Sequence, residues 1–220
     1  GAMEGCFASF ALASRLKEGS RAVLCLEPGF PVNKLQMRFL GIRSLSLDFY
    51  DHRGEKLVDA NKQMADKGHL CAIQWSSPTN PSCVVLKESE LEGIGRICDE
   101  YGIIAIEDLA YFGMDIRQDY FQPGEPPYQP TILRYTKHGV SIISSSKIFS
   151  YAGQRIALGL FHWNRFAGDH AFVDAGIAAQ DRSISRQAFL RTDPFFITNL
   201  QGRNIQINPI RPAFEPRRSG

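Results

Sequence analysis

The chain has 220 residues, a formal net charge of +2, 44% hydrophobic and 22% charged residues, which is room for one large domain of ordinary globular composition. So small a charge provides no basic field for nucleic acid, and no run of about 18 apolar residues marks a membrane span. The cysteines are odd in number, scattered and without a C-x-x-C pair, which favours a reducing cytoplasm over a disulfide framework, and the histidines show no metal-ligand spacing.

Gly1-Ala2 ahead of Met3 reads equally as native sequence or as a cloning remnant. Apolar residues at helical spacing predict a helix from Cys6 to about Lys17, closed by Gly19. The run Ala22 to Leu26 predicts a strand buried on both faces, broken by Glu27-Pro28-Gly29. A helix comes next over Pro31 to Leu40, then a strand over Ile42 to Leu47 and a charged surface helix over Lys56 to Lys67. Leu70 to Trp75 reads as a strand that ends in the loop Ser77-Pro78-Thr79-Asn80-Pro81. Glu88 to Tyr101 is amphipathic, with Leu91, Ile94 and Ile97 on one face. Ile103 to Ile106 and Val140 to Ile143 are further strands, and Ile156 to Phe161 continues as another. This alternation predicts an α/β fold, a mostly parallel sheet flanked by helices.

Two stretches fall outside that rhythm. Between Tyr111 and Lys137 lies a Pro-rich segment that reads as a flap near a site or as a plain surface excursion. From Arg165 the pattern weakens: Phe166 to Ala179 reads as a helix, and Asn199 to Gly220 as extended or partly disordered. Lysine is absent after Lys147 while arginine recurs from Arg165 to Arg218, which suggests a different structural context for the tail, or chance in a short segment.

In α/β sheets, ligands gather at the carboxyl ends of the strands. Phe30, Asn80, Asp108 and Lys147 each come after a predicted strand and so share one edge. Taken singly, each has an ordinary explanation. Lys147 is a solvated lysine, Arg155 a surface ion pair, Asn80 a turn former, Phe30 a core residue and Asp108 a helix cap or metal ligand. Taken together they describe a pocket for pyridoxal 5'-phosphate (PLP). Lys147 offers an amine to the aldehyde, and Asp108 a carboxylate to the ring nitrogen. Arg155, Ser144 and Ser146 offer donors to the phosphate, and Tyr111 and Asn80 donors to the phenolic oxygen. Ala2 and Met3 head the first helix, where backbone amides bind phosphate.

The motifs Ser77-Pro78-Thr79-Asn80-Pro81, Asp108-x-x-Tyr111 and Ser144-x-Ser146-Lys147 with Gly153 and Arg155 resemble the class I/II aminotransferases of PLP fold type I. The resemblance implies that Lys147 joins the cofactor and shuttles a proton, and that Asp108 pairs with the pyridinium. It implies that Asn80 and Tyr111 bond the phenolic oxygen and that Phe30 stacks on the ring. The phosphate is assigned to Ser144, Ser146, Arg155 and the backbone at Ala2 and Met3. It further implies amino acid and 2-oxo acid substrates and a homodimer. The resemblance covers about residues 1–161, read as the cofactor-binding core of the large domain. Residues 162–220 form a divergent tail without the family's small domain, so the expectation is a core shortened at both ends. Cys83 and Ala157 stand where the family commonly has Gly, which is tolerable if the backbone there avoids positive φ. A PLP-dependent C–S lyase of the same fold, and a non-catalytic remnant that only folds and dimerises, are the alternatives.

Overall fold

A computed structural model of the chain describes residues 1–17, 19–120 and 126–161; the predicted helix at Phe166 to Ala179 and the rest of the tail lie outside the described residues. The continuous apolar runs form the middle of one six-stranded sheet, in the order β2-β1-β3-β4-β5-β6. Its strands are β1 (Ala22–Glu27), β2 (Arg43–Asp48), β3 (Leu70–Ser76), β4 (Ile104–Leu109), β5 (Gly139–Ser144) and β6 (Ala157–Phe161). All neighbouring pairs are parallel except β5–β6, which is antiparallel. The mostly parallel α/β architecture read from the sequence is therefore the observed one.

Alternate residues of each central strand enter two separate cores, which is why those strands are apolar throughout. Val23, Cys25, Ala72, Ile104 and Ile106 pack with Cys6, Phe10 and Ala13 of α1 (Ala2–Leu16) and Met37 of α2 (Val32–Phe39). Leu24, Leu26, Ile73, Trp75 and Ala105 pack with Leu57 of α3 (Glu55–Asp66) and with Leu91, Ile94 and Ile97 of α4 (Glu88–Tyr101). No helix among the described residues is long and apolar enough to cross a membrane.

Two boundaries differ from expectation by more than one residue. α1 begins at Ala2, the helix head to which the phosphate is assigned, four residues ahead of the helical apolar spacing that starts at Cys6, because Glu4 and Gly5 interrupt that spacing. β4 continues through Glu107 and Asp108 to Leu109, so Asp108 lies inside the strand end rather than after it. The described parts of the Pro-rich stretch are tied to the sheet and its loops. The Gln129 side chain accepts from the Gly113 amide at 2.5 Å and donates to the Ser77 carbonyl at 3.3 Å. The Ile132 amide donates to Glu107 Oε2 at 3.1 Å.

Glu107 faces the α4 side and is fully buried. Its Oε2 also accepts from Ser141 Oγ at 2.8 Å. Burial pushes its carboxyl from the ordinary 4.5 up to about 7, against the lowering effect of those two donors. The folded chain therefore keeps a proton that the unfolded chain releases near pH 4.5. The stability this group contributes is full below that pH and is lost as pH rises through about 7. Urea midpoints at pH 5 and pH 8 should show the chain less stable at pH 8, by up to about 3 kcal/mol from this group. Glu107→Gln should flatten the part of that slope above pH 6; an unchanged slope would assign the pH dependence elsewhere.

Candidate active site

Five strands run in parallel, so their carboxyl ends lie on one edge of the sheet. Register then sets which residues are level: Ser76 of β3 pairs with Asp108 of β4, and Asp108 with Ile142 of β5. Phe30 leaves the end of β1 and Asn80 the end of β3. Lys147 sits on α5 (Ser145–Ile148), the short helix directly after β5. The ten residues singled out in the sequence all line one cavity of about 280 Å³ at this edge.

One end of the cavity is built for an anion. α1 starts there with Ala2 and Met3, and first-turn amides of a helix have no partner within the helix. The Arg155 guanidinium lies against the same helix start, since a Cβ built on Gly1 would come within 2.8 Å of its Nη2. Arg155 itself takes the left-handed conformation, φ 55, and its Nη1 donates to the Ala152 carbonyl at 3.0 Å. Ser144 Oγ accepts from the Ser146 amide at 3.2 Å and caps α5, which leaves its own hydroxyl proton to donate. An arginine fork, two serine hydroxyls and free helix amides together make a phosphate cradle.

The other end is built for a cation beside a hydroxyl. Asp108 is 3% exposed. Its hydrogen-bond partner among the described residues is a neutral donor, the Ala110 amide at 3.0 Å. Burial pushes its carboxyl from the ordinary 3.8 up to about 6, with the Ala110 amide and the Cys6 thiol acting in the lowering sense. A desolvated carboxylate with only neutral donors gains most from a cationic partner. Nearby, Asn80 Nδ2 donates to Tyr111 Oη at 3.1 Å, so the tyrosine proton is left to donate outward. The Lys147 ammonium stands 6.0 Å from the Tyr111 ring centroid and is exposed at the cavity rim. Phe30 also borders the cavity, 36% exposed.

Ser76, Ala110 and Ala152 line the same cavity and were not singled out in the sequence. Ser76 was within reach, being the last residue of β3 and level with Asp108; the two alanines carry no chemical signal. A second cavity of about 460 Å³ adjoins the first and shares Asn80 and Tyr111 with it. Cys83 borders this second cavity at φ 55. The condition under which cysteine replaces glycine there without strain is therefore not met, at a cost of about 1 kcal/mol. Ala157 opens β6.

The loop bearing Asn80 is held at its far end by Glu90, on the first turn of α4. Arg53 grips the Glu90 carboxylate through Nε at 2.8 Å and Nη2 at 2.7 Å, and donates to the Val85 carbonyl at 3.0 Å. The Gly54 and Lys87 amides complete the set at 2.6 and 2.8 Å. The carboxyl of Glu90 is held below its ordinary value: the Arg53 and amide hydrogen bonds outweigh the burial that would raise it.

An anion cradle, a buried carboxylate, a hydroxyl pair and an amine in one cavity fit pyridoxal 5'-phosphate group by group. The sequence model of the family "Aminotransferase class I and II" matches residues 4–189, and no curated protein matches. Among solved structures, the chain is similar to an amino transferase from Eubacterium rectale, with TM-score 0.61 and 21% identity over 81% of this chain and 44% of that one. It is also similar to the aspartate aminotransferase of Thermus thermophilus, with TM-score 0.63 and 16% identity over 81% of this chain and 43% of that one. The N-succinyldiaminopimelate aminotransferase of Mycobacterium tuberculosis gives TM-score 0.60 and 20% identity over 82% and 44%. The chain thus spans less than half the length of these structures, and at such identities they show the fold alone. With the family match covering most of its length, the chain belongs to the aminotransferase class I and II family.

Proposed function

We propose that this chain binds PLP in the 280 Å³ cavity and carries the cofactor-binding part of an aminotransferase, moving an amino group from an amino acid to a 2-oxo acid. The observation that carries the reading is Asp108, a buried carboxylate with neutral donors only, sharing a cavity with an amine and an anion cradle. When bound, PLP supplies an electron sink for negative charge at the substrate Cα.

The residues divide the work. Arg155, Ser144, Ser146 and the amides at Ala2 and Met3 hold the phosphate. Asp108 holds the proton on the ring nitrogen, and its burial strengthens that pairing. Asn80 and Tyr111 donate to the phenolic oxygen, and Phe30 covers one face of the ring. Lys147 provides the amine that takes the aldehyde carbon and carries the proton to and from the substrate Cα. A homodimer is the assembly this reading implies. Phe149, Tyr151 and Ile156, all exposed near the Lys147 segment, support a second copy covering that side. The free state of all five thiols supports a reducing, cytoplasmic setting.

The test is product analysis of the chain loaded with PLP. An amino acid donor should yield its oxo acid, one per site, and a second 2-oxo acid should restore the starting spectrum. Steady release of pyruvate and ammonia from a sulfur amino acid would show a C–S lyase instead, and bound PLP without either product a binding module. Arg155→Ala should weaken PLP about ten- to a hundredfold by removing charge-assisted bonds to phosphate, while binding of pyridoxal, which lacks the phosphate, stays unchanged. Equal losses for both ligands would place the phosphate elsewhere.

A further inference from the structure

Gln129 lies on the Pro-rich stretch between β4 and β5 and is not among the residues lining the cavity. Its side chain nevertheless joins the two loops that carry Tyr111 and Asn80. Its Oε1 accepts from the Gly113 amide at 2.5 Å, two residues past Tyr111. Its Nε2 donates to the Ser77 carbonyl at 3.3 Å, three residues ahead of Asn80. A donor meets an acceptor at both ends, so the amide fits in one orientation only. Each loop is also closed on itself. In the Tyr111 turn the Phe112 amide donates to the Leu109 carbonyl and the Met114 amide to the Tyr111 carbonyl, both at 3.0 Å. Gly113, between them at φ 72, turns its own amide to Gln129. In the Asn80 loop the Thr79 amide and Oγ1 both donate to the Val84 carbonyl, at 2.9 and 3.0 Å. Two compact loops are thus linked at their bases by Gln129 and at their tips by Asn80 Nδ2 donating to Tyr111 Oη at 3.1 Å.

We propose that Gln129 is a positioning residue for this site: by bridging Gly113 and Ser77 it sets the separation of the Tyr111 turn and the Asn80 loop, and so holds Tyr111 Oη and Asn80 Nδ2 as two donors converging on one ligand oxygen. Such convergence is demanding, because each bond must be about 3 Å long and weakens steeply as it bends. An amide suits the task, since it braces both loops and brings no charge to that oxygen. A plainer role also fits Gln129. Ser77 is 4% exposed and Gly113 is buried, and buried backbone groups need partners wherever they lie. That role alone predicts a loss of stability with no particular effect on the Asn80–Tyr111 pair, which is what separates the two.

The inference rests on the proposed function for its ligand, but its first test needs no cofactor. The Asn80 side-chain NH2 signal of the 15N-labelled chain is assigned by NMR from its loss in Asn80→Ala, and its position without the tyrosine hydroxyl is read from Tyr111→Phe. Gln129→Met, similar in size but without the amide, should move that signal toward the Tyr111→Phe position. An unchanged signal in folded Gln129→Met would overturn the proposal. Should Gln129→Met fail to fold, Gln129→Glu keeps the acceptor for Gly113 and loses the donor to Ser77: a shifted signal supports the role and an unchanged one overturns it. The second test is a double-mutant cycle on the pH midpoint of the visible absorbance of bound PLP. Gln129→Met should raise the midpoint by about half a unit, since donors to the charged phenolic oxygen are weakened, and lower PLP affinity about three- to tenfold. Added to Tyr111→Phe, it should move the midpoint much less, because the pair is already broken. Asp108, Lys147 and Arg155, the other titratable groups lining the cavity, are the same in every arm. An equal rise in both backgrounds would show general loosening and overturn the role. If the wild-type chain binds no PLP, the proposed function fails, while the Asn80 signal still decides the role of Gln129.

Discussion

A parallel sheet covered by helices on both faces leaves polar chemistry one kind of place, the carboxyl ends of its strands. In this chain the constraint acts most sharply on Asp108. It is the last but one residue of β4, level with Ser76 and Ile142, and still deep enough to be desolvated. The rest of the site is arranged around that carboxylate. α1 packs across the sheet so that its amino end reaches the same edge. The distance between a buried anion and a helix start is thereby set by rigid elements rather than by loops. Such a frame suits a small ligand charged at both ends, with Tyr111, Asn80 and Lys147 lining the space between.

Adjacent positions on one strand meet opposite cores, and on β4 this separates two neighbouring acids. Glu107 turns to the α4 side, where its Oε2 accepts from Ser141 and from the Ile132 amide and fixes the segment leading into β5. Asp108 turns to the α1 side and opens on the cavity. Burial raises both. The difference lies in what can approach: Glu107 is sealed into a core, and Asp108 faces space that a cationic group can enter. One acid thus serves the fold and the other the site, from the same physical cause.

Much of this was legible in the sequence, for identifiable reasons. Helix α4 has a clean apolar face and begins and ends where its period does, at Glu88 and Tyr101. The central strands announce themselves as unbroken apolar runs because two cores bury them. Reading failed where local pattern and tertiary setting part. The first turn of α1 interrupts the apolar period at Glu4 and Gly5, although the helix runs through it. β4 was ended at Ile106 because two acids come next, although both are buried. The close approach of α1 to β5 at Gly5 is a tertiary contact, and nothing in local spacing signals it. The left-handed backbone at Cys83 and Arg155 is likewise set by the loops around them, not by residue type. The ten residues that line the cavity stand out in the sequence because their chemistry is unusual in combination, whereas Ala110 and Ala152 line it through shape alone.

The account depends most on Lys147 being the amine that meets an aldehyde held between Arg155 and Asp108. The direct measurement is reduction of the PLP-treated chain with borohydride, then peptide mapping of the stable adduct by mass spectrometry. The account predicts a phosphopyridoxyl group on Lys147 at one per chain, lost in Lys147→Ala. Label spread over surface lysines, or label undiminished in Lys147→Ala, would contradict it.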